Sequence, residues 1–370
     1  MSSFAERTQA SREVYIDAFR GLMVLVMVQG HLCDTLLSPE ALAQPLYRLQ
    51  QIFHGTTAPG FLFASGFVAG LPRAPRSVGA SLRRVRRLLF VLGVGYALHL
   101  PYFSLWKTIG VASPAEKAAL FACDALQVIA VTQLAVIALQ LLARSRWIAV
   151  AGAVAAALLA AGPAVWASGL SSRVPPLLGA YLDTRLGSPF PAFPFSAFVL
   201  AGTVAGAALG RQGPVTRRRR TLATGGALLA TGALLTWLLA GRVDFWGVSP
   251  AYVLVRLGGL VLLMAVVEAA TRRRLPGVSP VALLGRETLL VYVFHLYLLF
   301  GGVPGPPPLG SLSGRLGFGA AALVLVLMTP VLYAAAWLWH RVKSRFPHEA
   351  SLFLAFLTVA FVYEFLTRPW

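Results

Sequence analysis

Long runs of apolar residues recur along the chain and are separated by short polar segments. Each run is long enough, or nearly so, to cross a hydrocarbon core of about 30 Å as an α-helix. The eleven runs lie near residues 16–37, 56–71, 85–103, 118–142, 147–168, 190–210, 221–241, 250–270, 281–300, 316–340 and 351–366. Strands of a membrane barrel would instead alternate apolar and polar residues over about ten positions. The pattern predicts an all-α fold, a polytopic membrane helical bundle with about 10–11 transmembrane helices.

The polar intervals leave no room for a separate soluble domain. We therefore expect one transmembrane domain over residues 1–370, in which residues 1–15 form a cytoplasmic N-terminal segment. The first run is too long for the core of a signal peptide and contains His31 and Asp34, so we expect it to be retained as a span. The second run, 56–71, is short and glycine-rich, which favours a helix covered by a neighbour or one that begins within the membrane.

The charged residues agree with this class and indicate an orientation. Only 12% of the residues are charged and 57% are hydrophobic, whereas about 25% are charged in soluble domains. The formal net charge of +19 would suggest nucleic acid as a partner of a soluble protein, but here the cations cluster in alternate loops. These clusters are Arg73, Arg76, Arg83, Arg84, Arg86 and Arg87; Arg144 and Arg146; Arg211 and Arg217–Arg220; Arg272–Arg274; and Arg341, Lys343 and Arg345.

The positive-inside rule places such clusters in the cytoplasm. We therefore expect a multi-pass protein of the cell (inner) membrane, with a cytoplasmic N-terminus and an extracytoplasmic C-terminus. The lipid bilayer is then a partner and nucleic acid is not. The oligomeric state is left open, and a homo-oligomer is compatible with the pattern.

The two cysteines, Cys33 and Cys123, lie within or at the ends of apolar runs. Neither belongs to a C-x-x-C pair or to histidine-rich spacing, which disulfide frameworks and zinc sites typically show. We expect neither kind of site, and no bound metal.

Polar side chains inside spans are costly and tend to mark function. Asp17 and Arg20 stand three residues apart on one face of the first span, where they can neutralise each other. They form either an interfacial anchor or a binding site for an anionic group at the cytoplasmic mouth. Sequence alone leaves both interpretations open.

Three histidines fall at a similar depth in the outer half of the membrane. At 1.5 Å per residue, His31 lies about 22 Å above Ile16 in the first span, and His295 lies about 21 Å above Val281 in the ninth. His54 stands just outside the second span. Each histidine alone could be a packing residue. Imidazole can also accept a proton from a hydroxyl or amine near neutral pH, and Asp34 could orient it.

Other polar residues occur at or within spans. Asp124 and Gln127 mark the outer start of the fourth span, and Glu268 lies near the cytoplasmic end of the eighth. Arg256 within the eighth span needs a carboxylate or carbonyl partner, or a water-filled cavity. Arg286 and Glu287 at the inner end of the ninth span can be interpreted as a boundary pair.

Several segments resemble the transmembrane acyltransferase superfamily. They are 15–31 (YIDAFRGLMVLVMVQGH), 54–66 (HGTTAPGFLFASG), 124–127 (DALQ), the Phe-Pro repeat at 190–194, 284–286 (LGR) and 292–295 (YVFH). The second segment is most similar to the heparan-α-glucosaminide N-acetyltransferase-like branch. The chain departs from that pattern in Gly30-His31, where relatives often have Asp-His, and in Phe195, where a Trp is common.

The resemblance implies transfer of an acyl group from cytoplasmic acetyl-CoA or another acyl-CoA to a hydroxyl or amine outside. The acceptor would be a glycan, a lipid-linked sugar or a small molecule. His54 matches the catalytic histidine of that branch and is the first candidate for the catalytic residue. His31, which matches the first-helix histidine of the related acyltransferase-3 branch, is the second. Asp34 would assist them. Asp17, Arg20, Gln127, Arg256 and His295 are candidate substrate-binding residues, with Gln127 as an oxyanion donor.

The arginines between residues 73 and 87 could bind the phosphates of CoA, although membrane topology alone accounts for them equally well. A transporter or flippase would also concentrate polar residues in a bundle, but repeats are absent and embedded carboxylates are scarce. A non-catalytic membrane scaffold is the third interpretation.

Overall fold

The computed structural model describes residues 4–71, 78–302 and 305–368, and almost all of its regular structure is helical. The helices are α1 Phe4–Leu36, α2 Pro39–Leu42, α3 Pro45–His54, α4 Thr57–Gly70, α5 Val78–Leu98, α6 Leu105–Gly110, α7 Pro114–Ala119, α8 Ala125–Leu142, α9 Trp147–Ser168, α10 Pro176–Gly179, α11 Ala192–Leu209, α12 Pro214–Leu238, α13 Pro250–Arg272, α14 Val278–Arg286, α15 Thr288–Phe300, α16 Phe318–Arg345 and α17 Pro347–Thr367. Over these described ranges no β-strand forms, so the predicted all-α polytopic bundle is confirmed.

Within the described residues, eight helices are long and apolar enough to cross a membrane. They are α1, α8, α9, α11, α12, α13, α16 and α17, and the bent pair α14–α15 would make nine. Two of the eleven expected spans fall short. Helix α4 has 14 residues, fewer than the about 20 that a straight span needs. Helix α5 carries four arginines in its first half. Arg73 and Arg76 lie outside the described residues.

The expected ninth span is wrong as a single straight helix. Helices α14 and α15 meet at an angle of 83°, and Glu287 between them has non-helical backbone angles. His295 therefore lies only about 10 Å along α15 from its start, and the depth calculated from Val281 does not apply. Because the helix axis turns at the break, the residues of α14 do not add to the height of His295 along α15.

The described chain divides into two compact units. The first is drawn from Met1–Ala58, Phe103–Lys107 and Val266–Trp370, and the second from Pro59–Tyr102 and Thr108–Ala265. Segments of the two units alternate along the sequence. The single-domain prediction stays a prediction.

In the first unit, α1 packs closely along α14. A Cβ atom on Gly21 would overlap the carbonyl of Val281, and one on Gly285 would overlap the carbonyl of Asp17. Small residues at such positions let two membrane helices approach to backbone contact. At the far end of α1, the Leu316 N–H donates to the Leu36 carbonyl at 2.8 Å, which joins α1 to the segment before α16.

In the second unit, α4 and α11 cross through two small-residue pairs. A Cβ on Gly66 or Gly70 would overlap the backbone of α11, and one on Gly202 or Gly206 would overlap the backbone of α4. Glycines four residues apart on both helices explain why the 14-residue α4 is covered by a neighbour, as its composition suggested. Both cysteines of the chain are free and buried.

Candidate functional site

Three histidines from three helices meet in the first unit. His31 comes from α1, His54 ends α3, and His295 lies in α15. The Nδ1 atom of His31 is 2.8 Å from Nε2 of His295. The rings of His31 and His54 meet edge to face with centroids 5.3 Å apart. The structure thus brings together the three histidines that the sequence placed in one half of the membrane.

The hydrogen bonds of this cluster determine where the protons lie. Nδ1 of His295 is 2.9 Å from the carbonyl of Val291, and a carbonyl can only accept, so this nitrogen carries a proton. In a neutral His295 the Nε2 atom is then an acceptor, and His31 must donate to it from Nδ1. The lone pair of a neutral His31 therefore lies on Nε2, the nitrogen that can take up a proton.

Helix α3 lies close to α1 because residue 30 is glycine. A Cβ atom at Gly30 would overlap the imidazole of His54. The carboxylate of Asp34, one turn beyond His31, also holds α3. It accepts hydrogen bonds from Tyr47 at 3.0 Å and from Gln51 at 2.5 Å. These contacts fix the side of α1 toward which His54 is presented.

Asp34 also faces His54, with Oδ2 3.6 Å from Nε2. Burial lowers the pKa of His54 below its ordinary value of 6.5, and the Asp34 carboxylate and Val26 carbonyl only partly oppose this effect. His54 is therefore neutral near pH 7. A neutral imidazole beside a carboxylate keeps both ring nitrogens available for proton exchange and hydrogen bonding.

The lowered pKa of His54 predicts a loss of stability in mild acid. Below about pH 6.5 the unfolded chain binds a proton at this residue that the folded chain excludes, so stability is full above that pH and falls as the pH drops toward the folded pKa. His54→Gln removes this contribution. We expect its melting temperature in detergent to fall less than that of wild type between about pH 7 and pH 5. Parallel curves for the two proteins would contradict the assignment.

The predicted pair Asp17 and Arg20 forms a separate polar group near the other end of α1. Arg20 is 3.6 Å from Asp17 and donates to Thr288 at 3.1 Å. Arg286 donates to Asp17 at 3.0 Å. These bonds tie α1 to the bend between α14 and α15, about 21 Å along α1 from His31. The contacts suit the anchor interpretation, and binding of an anion stays a prediction.

Gln127 and Arg256 belong to the second unit. The amide of Gln127 is fully buried, accepts from the Asp124 backbone N–H and donates to the Ala122 carbonyl, and so caps α8. The side-chain oxygen and the side-chain NH2 group of Gln127 are both used in these local bonds. This finding weakens the expectation that Gln127 donates to an oxyanion. The guanidinium of Arg256 stacks on Tyr252 and Trp246, with ring centroids 5.3 and 5.8 Å away. Aromatic faces were not among the partners expected for this arginine.

Sequence reasoning missed the helix that carries His54. Tyr47, Gln51 and His54 are spaced i, i+4 and i+7, the signature of one helical face, yet the apolar pattern placed His54 only just outside the second span. It also missed His99, whose Nε2 lies 3.7 Å from Asp124. Glu287 is more than the boundary residue that the sequence predicted, because it is buried and pairs with His340 at 3.0 Å and with Lys343.

Among the described residues, no group of three or more His, Cys, Asp or Glu side chains is arranged to hold a metal ion. The three histidines instead hydrogen-bond and stack on one another.

A family model described as an acyltransferase domain, of the acyltransferase-3 type, matches residues 13–339. The matched region contains all three histidines and ends just before the last residues of α16. A comparison with curated proteins gave no match.

Proposed function

Because the chain belongs to the acyltransferase-3 family, we propose that this multi-pass membrane acyltransferase uses cytoplasmic acyl-CoA to acylate a hydroxyl or amine outside the membrane. The observation that supports the proposal best is the hydrogen-bond relay from the Val291 carbonyl through His295 to His31. It gives one imidazole a defined tautomer and orientation, as a general base requires.

In the proposed reaction His31 is the base. Its Nε2 takes the proton of the acceptor O–H or N–H while the acceptor atom attacks the thioester carbonyl. The new C–O or C–N bond forms, the C–S bond breaks, and the CoA thiolate leaves and recovers the proton. Throughout the reaction, Nε2 of His295 accepts the hydrogen bond that Nδ1 of His31 donates. This bond keeps the base in one orientation.

His54 and Asp34 complete the proposed site on the α3 side of His31. Their 3.6 Å separation lets the carboxylate stabilise a protonated imidazole electrostatically. The resemblance of residues 54–66 to the heparan-α-glucosaminide N-acetyltransferase-like branch makes His54 the second candidate for the base or for a covalent acyl carrier. We place His31 first because the chain belongs to the acyltransferase-3 family, whose first-helix histidine it resembles.

Arginines of α5 are the proposed contacts for the phosphates of acyl-CoA. Arg83, Arg86 and Arg87 are exposed, and Arg84 donates to Gln133 at 3.4 Å. Guanidinium groups bind phosphate oxygens through pairs of N–H donors. A cytoplasmic position for this end of α5, an inner-membrane location and an extracytoplasmic acceptor are parts of the same proposal.

The acceptor is proposed as a class. A glycan, a lipid-linked sugar and a small molecule all offer the hydroxyl or amine that the base would deprotonate. In both O-transfer and N-transfer, His31 would remove a proton from the acceptor. This step does not depend on the length of the acyl chain. A panel of acceptors and donors is therefore part of the test.

The role of His295 can be tested with two substitutions, one of which can still accept a hydrogen bond from Nδ1 of His31 and one of which cannot. His295→Gln retains an acceptor oxygen for the His31 Nδ1 proton, whereas His295→Leu does not. We expect kcat within about tenfold of wild type for the first and about 10²-fold lower for the second, because a misoriented base costs that much. KM for acyl-CoA should change little in either. Equal losses in the two variants would show a purely structural role.

The proposed function is tested with purified protein in nanodiscs and radiolabelled acetyl-CoA. Wild type, His31→Ala and His54→Ala are compared for CoA release and for label retained on the protein. We expect release by wild type and loss of turnover without loss of donor binding in His31→Ala. Label retained by His31→Ala and absent from His54→Ala would make His54 an acyl carrier. Failure of wild type to bind acetyl-CoA and longer donors would favour the transporter or scaffold interpretation.

A further inference from the structure

A cationic pocket lies at the end of α16, just beyond the region matched by the acyltransferase family. Its volume is about 600 Å³, and it is lined by His340, Arg341, Ser344 and Arg345. The family match stops at residue 339. The lining contains no carboxylate and offers two guanidinium groups as donors, whereas the Ser344 hydroxyl already donates to the His340 carbonyl and Nδ1 of His340 is bonded to Glu287. A ligand that fits this lining is anionic and accepts several hydrogen bonds.

Each of the two arginines that line the pocket lies near an aromatic ring. Arg341 lies 4.2 Å from the ring centroid of Trp337, and Arg345 lies 5.8 Å from that of Phe346. Among the described residues, neither guanidinium is within ion-pair distance of a carboxylate. The contact with Trp337 orients Arg341 without neutralising its charge, and Arg345 is exposed beside its sequence neighbour Phe346. Both cations therefore remain available to an anion.

The neighbouring charged residues do not cancel the positive charge of Arg341 and Arg345. The buried carboxylate of Glu287 is already paired with His340 and Lys343. Glu349 is exposed in the first turn of α17. The segment from Arg341 to Glu349 thus has three formal cations, Arg341, Lys343 and Arg345, against one anion, Glu349. Two of those cations face the pocket.

The surroundings of the pocket have the character of a membrane interface. Trp337 and Trp339 precede it on α16, and tryptophan favours the boundary between headgroups and acyl chains. Helix α17, which follows, exposes nearly all of its apolar surface, including Leu352 and Phe356. In a bilayer that surface contacts acyl chains. A single amphiphile would place its anionic group in the pocket and its chains along α17.

We propose that the end of α16 binds the phosphate headgroup of an anionic glycerophospholipid. Juxtamembrane lysines and arginines attract anionic lipids, and Arg341 and Arg345 line one pocket in which both guanidinium groups can contact the same phosphate. The site lies outside the proposed catalytic residues. It anchors the turn between α16 and α17 to the leaflet that surrounds it.

The test uses full-length protein, delipidated in neutral detergent, with phosphatidylglycerol or phosphatidylcholine added as mixed micelles. Bound lipid is counted by native mass spectrometry. We expect wild type to retain phosphatidylglycerol in preference to phosphatidylcholine. The double variant R341Q/R345Q should lose about 30-fold in apparent affinity for phosphatidylglycerol, the combined effect of two such contacts. Equal retention of the two lipids by wild type would overturn the proposal.

Two further variants distinguish lipid binding at Arg341 and Arg345 from attraction by the net positive charge of the protein. R218Q/R219Q removes two exposed arginines of α12 and should lower lipid retention much less than R341Q/R345Q does. R341K/R345K keeps the charge and should retain binding within about fivefold, and it also shows that the turn still folds. If R218Q/R219Q lost as much affinity for phosphatidylglycerol as R341Q/R345Q, net charge alone would explain the binding and the proposed site would be wrong. Displacement of phosphatidylglycerol by millimolar inorganic phosphate or free CoA would make the pocket a site for soluble phosphate and overturn the proposal.

Discussion

Replacing His31 by alanine is expected to lower the rate of acyl transfer by about 10²- to 10⁴-fold, the usual contribution of a general base. The reason lies in the relay that puts its lone pair on Nε2 while His295 accepts its Nδ1 proton. Binding of acyl-CoA should persist, because the proposed donor contacts are the arginines of α5. The measurement is steady-state release of CoA together with equilibrium binding of the donor.

The matched control is His348→Ala, which removes an exposed imidazole from the first turn of α17. It should retain wild-type turnover. A wild-type rate in His31→Ala would remove this residue from the chemistry and leave His54 as the base. Loss of donor binding together with turnover would indicate a damaged fold instead, and size-exclusion profiles and melting curves of the variant would reveal it.

Replacing Gly30 by alanine should reproduce the effect of losing His54. The new methyl group would overlap the His54 imidazole, which must swing away from His31 and Asp34. We expect a loss of activity similar to that of His54→Ala, about 10²-fold for a displacement near 1 Å. The free energy of unfolding should fall by about 1 kcal/mol, the low end for overpacking, because the obstacle is a side chain that can rotate.

A double-mutant cycle distinguishes this mechanism from general damage. In a His54→Ala background the space beside residue 30 is open, so adding Gly30→Ala should cause no further loss. Gly226→Ala on α12, where a Cβ meets nothing within 4 Å, is the control and should be neutral in both backgrounds. If the effects of Gly30→Ala and His54→Ala are additive instead, the methyl group acts somewhere other than on His54.

The sequence was sufficient for the class of fold, because runs of apolar residues and loop arginines report directly on the bilayer. It also singled out His31, His54 and His295 as a group, although the depth calculated for His295 assumed a straight ninth span that the structure does not have. It could not give the rotation of each helix, so their contact had to come from the structure. The bond between Asp34 and Tyr47 was missed because the search for apolar runs passed over the 10-residue α3, although Tyr47, Gln51 and His54 have helical spacing.

The bend at Glu287 was missed because no local signal marks it. The residues on either side, Arg286 and Thr288, are compatible with a continuous helix, and the nearest glycine, Gly285, serves the contact with α1. The break depends on tertiary contacts instead. Glu287 pairs with His340 and Lys343 of α16, and Thr288 donates to the Gly285 carbonyl at 2.6 Å. Long-range pairing of this kind lies outside any window of local sequence.

The close approach at residue 30 constrains how this protein can vary. A chain with any larger residue at this position has no room for a histidine at position 54 in the same rotamer. Among homologous sequences we therefore expect covariation, with glycine at 30 accompanying histidine at 54, and aspartate at 30 accompanying a different residue or a longer segment between the first helix and α3. Two subgroups of one family would then differ in whether residue 30 leaves space for the side chain of residue 54.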